Sequence, residues 1–252
     1  MRNVVISGGG RGIGRAIALA VAEPGAHVVI TGRTVEALEA TAHELRAHGA
    51  EATAVPMDVA DHASVARGFR RIADLVTSVH VLVNNAGVGG GEAVQGSDIE
   101  RWRRTLDVNL FGMYLVTREC LPLMPDESRI VNLSSVLGRF GVPGYTAYCA
   151  AKHGVIGYTR ALALELAPRR ITANALVPGW VDTTMATQGM TQGAAATGLT
   201  FDAFRTQALD AVPIKRIIQP EEVARLAKFL AAPESGAITG QTYNICGGQT
   251  MD

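Results

Sequence analysis

Val4-Val5-Ile6-Ser7-Gly8-Gly9-Gly10-Arg11-Gly12-Ile13-Gly14 begins with a β-branched run that glycines interrupt. β-branched side chains favour extended backbone, so residues 4–7 are predicted to form a buried strand. Apolar residues then return at helical spacing through Ala16, Ile17, Leu19 and Ala20, until Pro24-Gly25 ends them. Strand, glycine turn and helix in direct succession aim free backbone N–H groups at one point. Such a point favours a pyrophosphate electrostatically. Gly8, Gly10, Gly12 and Gly14, with Arg11 and Ile13 between them, are therefore candidate cofactor-binding residues. The spacing is G-x-x-x-G-x-G rather than the commoner G-x-G-x-x-G. A glycine-rich turn without a ligand is the alternative.

The rhythm set by this stretch continues outward. Val28-Val29-Ile30 reads as a second strand, followed by a helix over residues 34–47. A third strand covers 52–55, a helix 61–76, and Val81-Leu82-Val83 a fourth strand. The second half gives a long helix over 99–121, a strand at 129–133, a helix at 148–167 and a strand at 172–176. A last helix, 221–231, and a strand, 241–246, complete the pattern. Strands of continuous apolar residues alternating with amphipathic helices specify a mainly parallel sheet covered on both faces. The expected fold is α/β, with residues 1–252 as a single doubly wound domain. After Pro178-Gly179 the periodicity fails for about thirty residues, and 183–213 reads as a loop that forms a lid over the site.

Composition narrows the class. An apolar fraction of 48% fits a folded chain, and a formal net charge of zero with a pI near 7 gives no sign of a nucleic-acid partner. Lys152, Lys215 and Lys228 are the only lysines. Cys120, Cys149 and Cys246 are too few and too far apart for a disulfide framework or a zinc site. The six histidines show no metal-ligand spacing, so no catalytic metal is expected. With no membrane-length apolar run and a strand beginning at Asn3, a cytoplasmic protein without a signal peptide is expected.

Open parallel sheets bind ligands at the carboxyl ends of their strands. The second strand ends in Thr31-Gly32-Arg33-Thr34, with no acidic residue where one would hold a ribose 2′-hydroxyl. Arg33 and Arg11 would instead suit a 2′-phosphate, which favours NADP(H) over NAD(H). Asp58-Val59 ends the third strand, where Asp58 is placed to accept from an adenine amino group. Asn84-Asn85-Ala86-Gly87 ends the fourth; its asparagines read equally well as a structural turn bonded to local backbone.

Tyr148 and Lys152 stand four apart, on one face of the predicted helix. A phenol has a reference pKa of about 10, which a neighbouring ammonium lowers. The pair is then suited to exchange a proton with a carbonyl or hydroxyl oxygen, to which Ser135 would also hydrogen-bond. A half-buried helix tyrosine and a solvated lysine are the ordinary alternative.

Taken in order and spacing, the glycine turn, Asn84-Asn85-Ala86-Gly87, Ser135, Tyr148-Cys149-Ala150-Ala151-Lys152 and Pro178-Gly179 resemble the short-chain dehydrogenase/reductase family essentially end to end. The resemblance implies a Rossmann-type fold and hydride transfer between a nicotinamide and a carbonyl or alcohol. It makes Tyr148 the general acid in reduction, and Lys152 the group that lowers its pKa and holds the nicotinamide ribose. Ser135 rather than Ser134 would polarise the substrate oxygen, and Asn109 would support a proton relay to the lysine. Asn85, Ala86 and Gly87, with Pro178, Gly179, Val181 and Thr183, would complete the cofactor site; Val181 and Thr183 would hold the carboxamide.

Within that family the chain is most similar to β-ketoacyl thioester reductases of fatty-acid and polyketide synthesis. The segments that carry this are 148–168, Val212-Pro213-Ile214, Gln219-Pro220-Glu221-Glu222 and Cys246-Gly247-Gly248. An NADPH-dependent ketoreductase is expected, with a catabolic NAD(P)-dependent secondary-alcohol dehydrogenase as the alternative. An acyl carrier protein is an uneasy partner. Pro125-Asp126-Glu127-Ser128 is acidic where carrier-binding relatives are commonly basic, although Arg169-Arg170 supplies a basic patch on the other side. The lid residues Met185, Met190, Leu199, Phe201 and Phe204 suit an apolar ketone, alcohol or acyl thioester, or pack the lid on itself. Trp180 either narrows the pocket or covers the sheet edge. The helices at 99–121 and 148–167 resemble faces through which family members form homotetramers.

Overall fold

β-branched strands buried on both faces explain the architecture of the computed structural model, which describes residues 2–91 and 93–251. The first half runs β1 (Arg2–Ser7), α1 (Gly12–Val21), β2 (Ala26–Gly32), α2 (Val35–Ala47), β3 (Glu51–Pro56), α3 (His62–Leu75) and β4 (Val81–Asn84). The second runs α4 (Ile99–Leu106), α5 (Gly112–Cys120), β5 (Arg129–Leu133), α6 (Thr146–Leu166), β6 (Thr172–Pro178), α7 (Thr184–Thr197), α8 (Phe201–Asp210), α9 (Pro220–Ala231) and β7 (Thr242–Ile245). The seven strands form one sheet in the order β3-β2-β1-β4-β5-β6-β7, and every pair is parallel. The chain order reverses between β1 and β4.

Side chains alternate across each strand, so neighbouring residues feed different cores. Val4, Ile6, Val28 and Ile30 pack with Ile17 of α1, Leu38 of α2 and Leu230 of α9. Val5, Val29, Leu82 and Ile130 pack on the opposite face with Phe69 of α3, Leu115 of α5 and Leu162 of α6. Both faces are apolar, which is why the strands carry no polar alternation.

Two local features depart from the sequence expectation. The 99–121 helix is interrupted by a π turn at Asp107–Phe111, where the Gly112 amide bonds the Asp107 carbonyl. The 183–213 stretch, expected as a loop, forms α7 and α8, joined through Gly198 in the left-handed region at φ 71°. The apolar periodicity was too weak to read. α7 buries Ala186, Met190 and Ala194, a stripe mostly of methyl groups, and α8 buries no residue fully. Side-chain caps supply what periodicity lacks: Thr183 accepts from the Ala186 amide and Thr200 from the Ala203 amide.

Arg129 closes the opposite end of the sheet. Its guanidinium is buried and donates to the carbonyls of Ala232, Pro233, Glu127 and Ser128 at 2.6–3.3 Å. Arg2 donates to the Ala231 carbonyl beside it. These carbonyls include the exposed dipole end of α9, where a cation is stabilised. Arg129→Ala strands several buried acceptors and should lower unfolding free energy by about 2–4 kcal/mol, measured by urea denaturation. Arg70→Ala, on an exposed face of α3, is the control and should change it by less than about 0.5 kcal/mol.

Candidate active site

The cleft begins where β1 and β4 end. Asn85 Nδ2 donates to the carbonyls of Ser7 and Gly8, each at 3.0 Å, while Ser7 Oγ accepts from the amides of Asn85 and Ala86 at 3.1 Å. The asparagine thus clamps the glycine turn across the sheet, not its own local backbone. Gly14 seats the helix against that turn: a Cβ there would lie 2.1 Å from the Gly8 carbonyl oxygen. Gly14 is a packing position and does not line the cleft.

The cleft has a volume of about 460 Å³. Gly8, Gly10, Gly12 and Ile13 form its floor, with Asn85, Ala86 and Gly87 on the β4 side. Pro178 and Thr183 close it from β6 and α7; Thr183 caps α7 and donates to the Val181 carbonyl at 3.2 Å. Gly179 and Val181 support that wall from outside the cleft. Gly179 packs on Cys246, and buried Val181 bridges to Ile218.

One end of the cleft is cationic. Arg11 and Arg33 line it as expected, and Arg11 Nη2 donates to Thr34 Oγ1 at 2.8 Å. Asp58 and Val59 lie beside them. Arg104 joins them from α4 and donates to Asp58 Oδ2 at 2.7 Å, while the Ala60 amide bonds Oδ1 at 3.0 Å. Burial alone would raise the Asp58 carboxyl, but the Arg104 and Ala60 hydrogen bonds and the Arg33 charge outweigh it and hold the group below the ordinary value. Sequence reasoning missed Arg104 because nothing in its local sequence points to Asp58, 46 residues away.

The other end gathers Ser135, Tyr148, Lys152 and Asn109. Ser135 lies outside the cleft wall; its Oγ accepts from the Leu137 amide at 3.2 Å and favours ionisation of the nearby Tyr148 phenol. Lys152 Nζ is buried, donates to the Leu133 carbonyl at 2.8 Å and lies 5.6 Å from the centre of the Tyr148 ring. Here the structure corrects the expected electrostatics. Burial pushes the Tyr148 phenol up to about 12 despite the opposing effect of the Ser135 hydroxyl, and pushes the Lys152 ammonium down to about 8. The ammonium is directed at a backbone carbonyl rather than the phenol oxygen, so in this arrangement it does not lower the Tyr148 pKa.

Asn109 sits in the π turn, a feature common at functional sites. Its Nδ2 donates to the carbonyls of Val88 and Thr105 at 2.9 Å, and its Oδ1 accepts from the Val88 amide at 3.2 Å. The side chain therefore fixes the loop after β4. Tyr145, three residues before Tyr148, is a further aromatic group that sequence reading passed over. Its ring lies on Gly91, where a Cβ would come within 2.7 Å of it. Trp180 packs on Gly189 of α7, and it props that helix rather than lining the cleft.

A family model described as enoyl-(acyl carrier protein) reductase matches residues 8–250. The chain belongs to the short-chain dehydrogenase/reductase family. It is 38% identical over 251 residues to a 3-oxoacyl-(acyl-carrier-protein) reductase of Synechocystis sp., covering 98% of this chain and 96% of that protein. A 3-oxoacyl-(acyl-carrier-protein) reductase of Aquifex aeolicus is 36% identical over 247 residues, covering 97% and 95%. Among solved structures, a substituted actinorhodin polyketide ketoreductase with NADPH superposes with a TM-score of 0.93 at 35% identity, covering 98% of this chain and 97% of that one. This short-chain dehydrogenase/reductase is therefore an oxidoreductase of the nicotinamide-dependent type, built on the Rossmann-type fold its sequence implied. Among its described residues no helix is long and apolar enough to cross a membrane.

The buried ammonium has a consequence for stability. Lys152 titrates at about 8 in the folded chain against 10.5 ordinarily, so between those values the unfolded state holds the proton and the folded state has lost it. Parent stability then rises with pH through that window. Lys152→Met should exceed the parent at pH 7 by on the order of 2 kcal/mol in denaturant titrations, with the advantage shrinking toward pH 10.5.

Proposed function

We propose that the protein is an NADPH-dependent ketoreductase acting on a β-ketoacyl thioester or a similar ketone. The observation that carries this reading is one cleft with three guanidinium groups, Arg11, Arg33 and Arg104, at one end and Tyr148 and Lys152 at the other, with Ser135 just behind that wall. The residues fit the cofactor. Glycine backbone without side chains gives a pyrophosphate close approach, and the arginines suit a 2′-phosphate better than a bare ribose. When bound, NADPH would supply the hydride.

The chain's own residues would do the rest. Ser135 Oγ and the Tyr148 hydroxyl, near neighbours at the end of the cleft, would together hold the carbonyl oxygen and polarise it. Tyr148 would then give its proton to the forming alkoxide. An alkoxide is far more basic than a phenolate, so a phenol near 12 remains a competent acid. Lys152, its Nζ fixed on the Leu133 carbonyl, would hold the nicotinamide ribose. Asn109 would keep the Val88 loop and the π turn in place beside it.

The form in which the ketone arrives follows from surface charge. Arg169 and Arg170, expected as a separate basic patch, lie against the acidic turn instead: Arg169 pairs with Asp126 at 3.2 Å and Arg170 with Glu127 at 2.8 Å. Their charge is locally offset, which favours a coenzyme-A ester or free ketone over a carrier protein docked there. On the helices expected to pair subunits, the exposed Phe111 and Tyr114 rings stack at 5.8 Å and Leu164 is exposed, which supports the homotetramer reading.

Two measurements check this account. Purified protein should oxidise NADPH with a β-keto thioester panel presented on coenzyme A, on carrier protein and as free esters, with a crotonyl thioester as the enoyl control. Activity with the crotonyl ester alone, or faster turnover in the alcohol-oxidising direction with NAD+, would refute it. Arg33→Ala should raise the KM for NADPH by about 10-fold or more while leaving NADH within about twofold, since one charge-assisted phosphate contact is worth roughly 1.5–3 kcal/mol. Tyr148→Phe should lower kcat by about 10²-fold or more.

A further inference from the structure

Ser134 and Ser135 are adjacent but do different things. Ser135 Oγ accepts from the Leu137 amide at 3.2 Å and lies near the Tyr148 phenol, whereas Ser134 Oγ donates to the backbone carbonyl of Lys152 at 2.8 Å. Tyr148 and Lys152 are one helical turn apart, so the two serines face α6 at successive turns, and Ser134 bonds its backbone. The residue before them joins in, since the Leu133 carbonyl accepts from Lys152 Nζ at 2.8 Å. Lys152 is thus held at both its backbone and its side-chain end by two consecutive residues at the end of β5. Farther along α6, Asn132 Nδ2 donates to Thr159 Oγ1 at 3.0 Å, so residues 132, 133 and 134 all bond this helix.

The clamp is built into its surroundings. Ser134 is 5% exposed, and its amide donates to the Leu176 carbonyl of β6 at 2.8 Å, fixing its place in the sheet. The turn that follows closes over the bond at Gly138, where a Cβ would stand 2.6 Å from Ser134 Oγ and 2.7 Å from the Lys152 carbonyl oxygen. Only glycine lets the chain pass so close without pushing the two apart. The bond is therefore closely packed where α6 meets β5, behind the part of Ser134 that lines the cleft.

We propose that Ser134 is a positioning residue: through the Lys152 carbonyl it sets the register of α6 on β5, and so keeps Lys152 Nζ on the Leu133 carbonyl and Tyr148 on Ser135. The inference rests on the ketoreductase reading for its effect on turnover, but not for its effect on Lys152 itself. Burial holds the ammonium below its ordinary value, so loosening α6 admits water and returns the group toward that value.

With three lysines in the chain, 13Cε signals of lysine-labelled protein can report Lys152 directly. Ser134→Ala should raise the Lys152 midpoint by about half a pH unit or more. It should also lower kcat about tenfold, as expected for displacement of reacting groups, with the KM for the ketone and the Kd for NADPH within about twofold. Ser134→Thr, which keeps the hydroxyl, should restore both readouts, and Gly138→Ala should reproduce the alanine variant by forcing the bond open. An unmoved Lys152 titration in Ser134→Ala overturns the proposal whether or not kcat falls, as does a moved titration with unchanged kcat. If Ser134→Ala does not fold, Gly138→Ala decides by the same criteria. If the parent reduces no ketone, the ketoreductase reading fails, and the titration alone decides the clamp.

Discussion

The amide of Asn85 holds together the place where the sheet changes direction. It donates to two consecutive carbonyls of the β1 turn, while Ser7 Oγ accepts from the Asn85 and Ala86 amides. A crevice forms at the carboxyl edge of a doubly wound sheet because neighbouring strands send their helices to opposite faces. Without a tie across that gap, the glycine turn and the β4 loop would be free to separate. With it, the floor of the cleft is a fixed surface, and Gly14 packs the first helix on the same turn. Each bond is worth about 1 kcal/mol, yet together they define the geometry on which both ends of the cleft depend.

From this tie the molecule develops two electrostatic regions. The cationic end is exposed enough for Arg104 and Asp58 to form an ion pair beside Arg11 and Arg33. The reacting end is enclosed, and burial works against charge there: the Tyr148 phenol is raised and the Lys152 ammonium lowered. The two groups ordinarily titrate near each other, and burial pushes them apart, the phenol to about 12 and the ammonium to about 8. Burial disfavours the charged form of both, so the phenol keeps its proton, the form that the proposed proton donation needs. Arg129, at the far end of β5, shows the other solution for a buried cation, satisfied by carbonyls and the dipole end of α9.

The strands and the long helices were legible in sequence because packing on both faces of the sheet imposes continuous apolar runs, and Val4-Val5-Ile6 needs no other explanation. The candidate site residues Ser135, Tyr148 and Lys152 were singled out through the family resemblance, whose motif lies compactly at a strand end and a helix start. What escaped has physical reasons. α7 and α8 are held by threonine caps and alanine contacts, which leave no apolar stripe. Arg104 reaches the cleft across 46 residues from its partner Asp58, a distance that no local pattern encodes. The direction of the Tyr148 shift depended on where Lys152 Nζ points, and spacing on a helix places side chains on a face without aiming their ends. Arg169 and Arg170 were read as a free basic patch because their acidic partners lie 43 residues away.

The central claim is that Tyr148, Ser135 and Lys152 deliver a proton to a ketone oxygen while the cofactor delivers hydride to the carbon of that same carbonyl. Deuterium tracing tests it most directly: NADPH labelled at the transferable C4 position is turned over with a β-keto thioester, and the product is read by NMR. The account predicts one deuterium on the carbinol carbon that was the ketone, in a single configuration. Deuterium on an adjacent carbon, as in reduction of a carbon–carbon double bond, or its absence from the product, would contradict it.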